Sequence, residues 1–130
     1  MPESSNNARP PAIRIYVAHN TGPEAGYLDM LYGIEEEGVP FELVPSDLTD
    51  IRDLSFEAAV GSSLSVGLGV NVDEVALHYD KLPRDMPLYI IDREVDRRDM
   101  RNMGINAARL VKRMPFNTIN RRKEEESDVQ

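Results

Sequence analysis

The chain has 130 residues, of which 41% are hydrophobic and 29% charged, and a chain of this size suits one globular domain with a buried core. Its formal net charge of −8 disfavours binding to nucleic acid and to anionic membranes, since both carry negative charge themselves. It contains no cysteine, which excludes disulfides, thiolate metal clusters and a cysteine nucleophile. Neither a leader peptide nor a run of roughly 18 apolar residues is evident, so we expect a cytoplasmic protein that does not enter a membrane.

The first half of the chain alternates between strand and helix patterns. The apolar, β-branched run Ile13–Ala18 predicts a buried strand, and apolar residues at helical spacing follow from Glu24 to Gly38. Phe41–Val44 then predicts a second strand, ending before a proline, and Asp50–Ser62 a second helix.

The second half contains three predicted strands and one long helix. Ser65–Asn71 and Glu74–Tyr79 are separated by a connection of hairpin length, so these two strands should be antiparallel. Pro87–Asp92 predicts the fifth strand, and the last helix runs from about Asp96 until Pro115 ends it. The order predicts an α/β fold, a three-layer α/β/α sandwich with a mixed sheet of about five strands, one of them antiparallel.

The ends of the chain differ from its middle in composition. We expect a flexible N-terminal tail over residues 1–11, a single α/β domain over 12–116 and a charged C-terminal tail over 117–130. The unpaired edges of such a sheet would also permit the isolated chain to form a homodimer.

The loop His19–Gly22 follows the first strand, at the sheet edge where α/β proteins bind ligands. It faintly resembles the phosphate loop of flavodoxins, although Pro23 removes one amide donor and only Thr21 offers a hydroxyl. A flavodoxin-like small-molecule binder is therefore one alternative. His19 and His78 have no evident serine or cysteine partner, so we expect both to be structural and assign no catalytic residue.

Two glycines, Gly67 and Gly69, interrupt the third strand. The strand leads into a hairpin rather than a helix, so these residues are not a dinucleotide fingerprint. They indicate either a softened strand or a place where another chain approaches the backbone closely.

Glu35, Glu36 and Glu37 fall in the last turn of the first predicted helix, just before Gly38. Acids are mildly unfavourable there, by roughly 0.3–1 kcal/mol each, because the helix C-terminus carries partial negative charge. Three interpretations remain open: a solvated helix end, a surface for a basic partner, or a metal ligand, since Mg²⁺ often takes only one or two carboxylates from a chain.

Several segments together resemble a known family. GIEEEGVPFE, SVGLGVN, LHYDKLP, MPLYI and MRNMGINAARLVKRMPF are similar in order and spacing to the small subunit of the reactivating factors for adenosylcobalamin-dependent diol and glycerol dehydratases. The resemblance spans residues 13–116, and the family shares the fold of the dehydratase medium subunit. Arg113 is a departure, because the family tends to have glycine there.

The resemblance implies a chaperone-like, non-catalytic subunit. Its large partner would be an ATPase that binds ATP and ADP itself, in a hetero-oligomer with two copies of each subunit. Such a factor releases damaged cobalamin from inactivated dehydratase by ATP-dependent subunit exchange. An alternative within the same machinery is a medium-subunit-like component of a B12-dependent dehydratase. The location would be cytoplasmic, with or without a bacterial microcompartment.

The resemblance also implies site residues. Glu35, Glu36 and Glu37 would face the large subunit, and Glu36 would complete the shell of a Mg²⁺ ion held mainly by that subunit. The compensating charge for these acids would then lie on another chain. Asn106 and Arg109, on the last predicted helix, would be further partner contacts.

Overall fold

The computed structural model describes residues 10–119. The elements follow in this order: β1 (Ile13–Ala18), a 3₁₀ turn (Glu24–Tyr27), α1 (Leu28–Glu36), β2 (Phe41–Ser46), α2 (Ile51–Val60), β3 (Val66–Val70), β4 (Glu74–Tyr79), β5 (Tyr89–Asp92) and α3 (Arg97–Lys112). Within residues 10–119, no helix is long and apolar enough to cross a membrane.

The five strands form one mixed sheet in the order β2-β1-β3-β4-β5. β1 lies parallel to β2 and β3, with Ile15 opposite Leu43 on one side and Leu68 on the other. β4 is antiparallel to both β3 and β5, so it is the one strand of reversed direction. The predicted sheet is confirmed.

Helices cover both faces of this sheet. Alternate strand residues such as Ile13, Ile15 and Leu68 belong to the main core cluster beneath α1 and α3. A smaller cluster on the opposite face includes Ala18 and Ala76 with apolar residues of α2. The alternation follows the pleat, which turns successive side chains to opposite faces. The result is the predicted three-layer α/β/α sandwich.

The glycines of β3 allow α2 to lie directly on the sheet. A Cβ atom on Gly67 would overlap the backbone nitrogen of Ala59, and one on Gly69 would lie 2.7 Å from the Ser55 nitrogen. The close approach at these glycines is therefore made by a helix of the same chain.

Two element boundaries differ from the prediction for local reasons. The first helix begins as the 3₁₀ turn after Pro23, whose carbonyl accepts from the Gly26 N–H at 3.1 Å and whose side chain provides no cap. The strand β2 continues through Pro45, which the sequence had suggested would end it. Pro45 is tolerated because β2 is an edge strand, where a missing N–H costs no hydrogen bond.

The packed chain extends three residues beyond the predicted boundary at residue 116. Asn117 is hydrogen-bonded to α3, and Ile119 is only 8% exposed, within the main core cluster. The remaining parts of the two predicted tails, residues 1–9 and 120–130, lie outside the described residues.

The helix α3 ends at Arg113 in a left-handed conformation. Its φ is 59° and its ψ 46°, and the backbone N–H of Met114 donates to the Arg109 carbonyl at 2.8 Å. Glycine adopts this conformation without steric cost, whereas other residues lose roughly 1–2 kcal/mol. The departure noted in the sequence therefore falls at a position whose geometry favours glycine.

We predict that Arg113→Gly stabilises the protein by up to about 1 kcal/mol, because relief of the left-handed strain outweighs the added freedom of the unfolded chain. Urea unfolding measures the change. The matched control is Arg113→Ala, which removes the same side chain and keeps the strain. An equal gain in both variants would contradict the backbone explanation.

Candidate functional site

The three glutamates at the end of α1, Glu35–Glu37, form what we call the acidic turn. Glu35 and Glu36 are exposed, whereas the Glu37 side chain is only 15% exposed. Gly38 follows with a φ of +76°, a left-handed conformation that ends the helix. Glu37 therefore differs from the other two acids in being largely buried.

The position of the acidic turn depends on a close contact between α1 and α3. A Cβ atom on Gly33 would overlap the carbonyl oxygen of Arg101, and one on Gly104 would overlap that of Met30. Only glycine lets the two backbones approach this closely. The basic residues of α3 are thereby brought against the acidic residues of α1.

Glu37 is bound by two cations of the same chain. Lys112 donates from Nζ to the Glu37 carboxylate at 2.8 Å and to its backbone oxygen at 2.9 Å. Arg109 Nη2 lies 3.5 Å from the other carboxylate oxygen. The hydrogen bond from Lys112 is the main reason that the pKa of Glu37 is lowered. Glu37 is therefore a structural link between α1 and α3.

Glu36 has a looser partner. Arg101 Nε lies 3.2 Å from Glu36 Oε2, and the two side chains are 41% and 50% exposed. Within residues 10–119, the Glu35 carboxylate has no ion pair or side-chain hydrogen bond. Within this chain, α3 thus supplies positive charge to both Glu36 and Glu37. Arg101 was missed, because nothing in the sequence pairs it with Glu36 until α1 and α3 are packed together.

The carboxylates of the acidic turn suit a metal site that is shared with another chain better than a site that this chain forms by itself. Within the part of the chain that the structure describes, no group of three or more His, Asp or Glu side chains is arranged to hold a metal ion. Glu36 is exposed and could contribute one carboxylate to a Mg²⁺ ion, which often takes few ligands from any one chain. Glu36 would have to leave Arg101 to do so.

Asn106 and Arg109 hold the end of the packed chain. Asn106 is fully buried; its Oδ1 accepts from the Asn117 backbone N–H at 2.7 Å, and its Nδ2 donates to the Asn117 carbonyl at 2.9 Å. Arg109 Nη1 donates to the Asn117 side chain at 2.8 Å. In this conformation Asn106 offers no surface to a partner, and Arg109 connects the acidic turn to residue 117.

The loop at the end of β1 is filled by a side chain of this protein. Arg93 Nη1 donates to the carbonyl oxygens of Thr21 at 2.7 Å and Asn71 at 2.9 Å. A Cβ atom on Gly26 would overlap the Arg93 guanidinium. The place where a flavodoxin-like protein would hold a phosphate is therefore occupied by an arginine that binds backbone carbonyls.

The two histidines differ in setting. His78 is fully buried; its Nδ1 accepts from the Tyr79 backbone N–H at 2.9 Å, and its Nε2 donates to the Arg84 carbonyl at 3.0 Å. Its burial and these backbone hydrogen bonds agree with the structural role predicted for it. His19 is exposed and lies 2.8 Å from Asp47, also exposed.

The lowered pKa of Glu37 predicts a pH-dependent contribution to stability. A carboxylate with a lowered pKa in the folded state stabilises the fold above its unfolded pKa of roughly 4.3, and this stabilisation is lost as pH falls through the lowered value. At pH 7, Glu37→Gln should lower the free energy of unfolding by about 0.5–1 kcal/mol. The difference from wild type should shrink below about pH 4.

Urea unfolding at pH 7 and at lower pH measures this difference. The matched control is Glu35→Gln, which removes a charge from the same turn without breaking a described contact. A Glu37→Gln effect that stays constant from neutral to acidic pH would contradict the account.

Comparison with known proteins identifies the family. The sequence model described as the dehydratase medium subunit matches residues 10–117. The chain is 40% identical to the propanediol dehydratase-reactivating factor small subunit of Citrobacter freundii, over 85% of this chain and 94% of that one. It is 38% identical to the diol dehydratase-reactivating factor small subunit of Klebsiella michiganensis, over 89% of this chain and 91% of that one.

Solved structures agree with the sequence relatives. A structure of diol dehydratase-reactivating factor complexed with ADP and Mg²⁺ matches with a TM-score of 0.79 and 37% identity, over 85% of this chain and 100% of that one. A glycerol dehydratase reactivase structure matches with a TM-score of 0.80 and 34% identity, with the same coverage. The chain therefore belongs to the dehydratase medium subunit family, and within it to the dehydratase-reactivating factor small subunits.

Proposed function

We propose that this chain is the non-catalytic small subunit of a reactivating factor that releases damaged cobalamin from inactivated diol or glycerol dehydratase. The observation that carries the proposal is its 40% identity to a reactivating factor small subunit over 94% of that relative's length. The large subunit of the factor is the ATPase and binds ATP or ADP. The small subunit acts by binding and leaving its partners.

The exposed end of α1 is the surface that we assign to the large subunit. Glu35 and Glu36 are exposed there, and Tyr32, one turn earlier on the same helix, is 41% exposed. Tyrosine is among the residues enriched in protein interfaces, and the two carboxylates would complement a cationic surface. The end of α1 therefore offers an assembly partner both apolar area and charge.

Glu36 is the residue that we assign to a Mg²⁺ ion shared with the large subunit. It is exposed, and the described residues provide too few neighbouring ligands for a complete site. Mg²⁺ would therefore need ligands from both chains, and its binding would be coupled to their assembly.

The other predicted interface residues make contacts inside the chain, next to this surface. Glu37 is held by Lys112 and Arg109, and Asn106 and Arg109 hold Asn117. We propose that these residues fix the geometry of the acidic turn, and that Glu35 and Glu36 make the contact.

The fold supports exchange of subunits as the mechanism. This chain belongs to the family named for the dehydratase medium subunit, so the two proteins share one architecture. Two chains with the same architecture can present similar surfaces to a common partner and compete for it. In this mechanism the small subunit leaves the large reactivase subunit, and the dehydratase medium subunit takes its place.

We predict that this chain and the large subunit of its reactivating factor form a hetero-oligomer with two copies of each in the presence of Mg²⁺ and ADP. Size-exclusion chromatography with light scattering measures its mass. Addition of ATP and inactivated dehydratase should release this chain. Failure to bind the large subunit, with co-purification of this chain with dehydratase subunits instead, would favour the alternative of a dehydratase component.

In the same assay, Glu36→Gln should raise the Mg²⁺ concentration for half-maximal assembly by at least about tenfold, the lower range for loss of even an outer-shell group. The matched control is Glu94→Gln, which removes the same charge from another exposed part of the surface. Equal behaviour of the two variants would remove Glu36 from the metal site.

A further inference from the structure

Glu36 and Arg101 are brought together by the backbone rather than by the reach of long side chains alone. The carbonyl oxygen of Arg101 lies directly against Gly33, one turn before Glu36. This contact fixes the start of the Arg101 side chain beside the acidic turn. Its Nε then lies 3.2 Å from Glu36 Oε2. The pair is thus a consequence of how α1 and α3 cross.

The Glu36–Arg101 pair is built to separate more easily than the pair beside it. Glu37 is bound by two cations and is largely buried, whereas Glu36 is half exposed and is bound by Arg101. Arg101 Nε is buried, yet it makes no well-aligned hydrogen bond with any of the described residues. The two side chains are 41% and 50% exposed, and an ion pair this exposed contributes little to stability.

We propose that Arg101 is the resident counter-ion of Glu36, which holds this carboxylate in the unbound chain and is exchanged for the divalent cation when the partner subunit binds. The inference rests on the proposed function, because it takes Glu36 to be a ligand in the complex. Arg101 acts through Glu36 and is a positioning residue.

The exchange has a definite physical effect. A carboxylate oxygen directed at a guanidinium is less available to a metal ion, and the positive charge of Arg101 repels a second cation nearby. The unbound chain therefore binds Mg²⁺ weakly. When the large subunit supplies the remaining ligands, Mg²⁺ is bound tightly enough to displace Arg101 from the Glu36 carboxylate. Arg101 thus makes metal binding depend more strongly on assembly.

The test is a Mg²⁺ titration of assembly between the full-length chain and the large subunit, followed by light scattering. Arg101→Met keeps most of the side-chain length and removes the charge. We expect it to lower the Mg²⁺ concentration for half-maximal assembly about two- to fivefold, which corresponds to an exposed ion pair of up to about 1 kcal/mol. Arg101→Lys, which keeps the charge, should restore most of the wild-type value.

The structure offers a matched control on the same two helices. Arg97 lies 3.1 Å from Asp29, one turn earlier along α3. Arg97→Met removes the same charge and breaks an ion pair between α1 and α3. We expect it to leave the Mg²⁺ concentration for half-maximal assembly unchanged. In a Glu36→Gln background, Arg101→Met should have no further effect, since the two residues act as one unit.

The outcomes separate this proposal from the proposed function. If Glu36→Gln impairs assembly but Arg101→Met leaves the Mg²⁺ concentration for half-maximal assembly unchanged, the Arg101 proposal fails and the proposed function stands. If Arg101→Met weakens assembly at every Mg²⁺ concentration, or Arg97→Met produces an equal shift, the proposal also fails. If the wild-type chains do not assemble at all, the proposed function fails.

Discussion

The close crossing of α1 and α3 is the constraint on which the candidate site depends. Gly33 and Gly104 each lie against the backbone of the other helix, so a side chain at either position would force the helices apart. This contact brings the basic face of α3 against the acidic turn. Without it, Glu36 and Glu37 would lack their cations, and the end of α1 would carry three uncompensated acids.

This crossing gives the three glutamates different roles. Glu37 is bound to Lys112 and Arg109 and links the helices, whereas Glu36 is paired with Arg101 and stays half exposed. Glu35 remains open at the surface. Arg109 also holds Asn117, so the acidic turn and the end of the packed chain share one guanidinium. A surface that faces a partner is in this way supported by a network inside the chain.

The sequence predicted the elements and the layers well, because both depend on local apolar periodicity. The hairpin length between β3 and β4 was enough to identify the antiparallel strand. Ion pairs such as Glu36–Arg101 could not be predicted, because they join residues far apart in the chain and depend on the crossing of α1 and α3. Asn106 was predicted from the resemblance to contact a partner, which would require it to be exposed. It is buried instead because the chain after Arg113 turns back and needs partners for its backbone groups.

The central claim is that the exposed end of α1 is the surface that meets the large subunit, and hydrogen–deuterium exchange of this chain, alone and in the Mg²⁺-loaded complex, tests it most directly. The account predicts new protection over residues 32–38, with little change in α2 (Ile51–Val60), which lies on the opposite face of the sheet. Protection confined to α2, with none at the end of α1, would contradict the account.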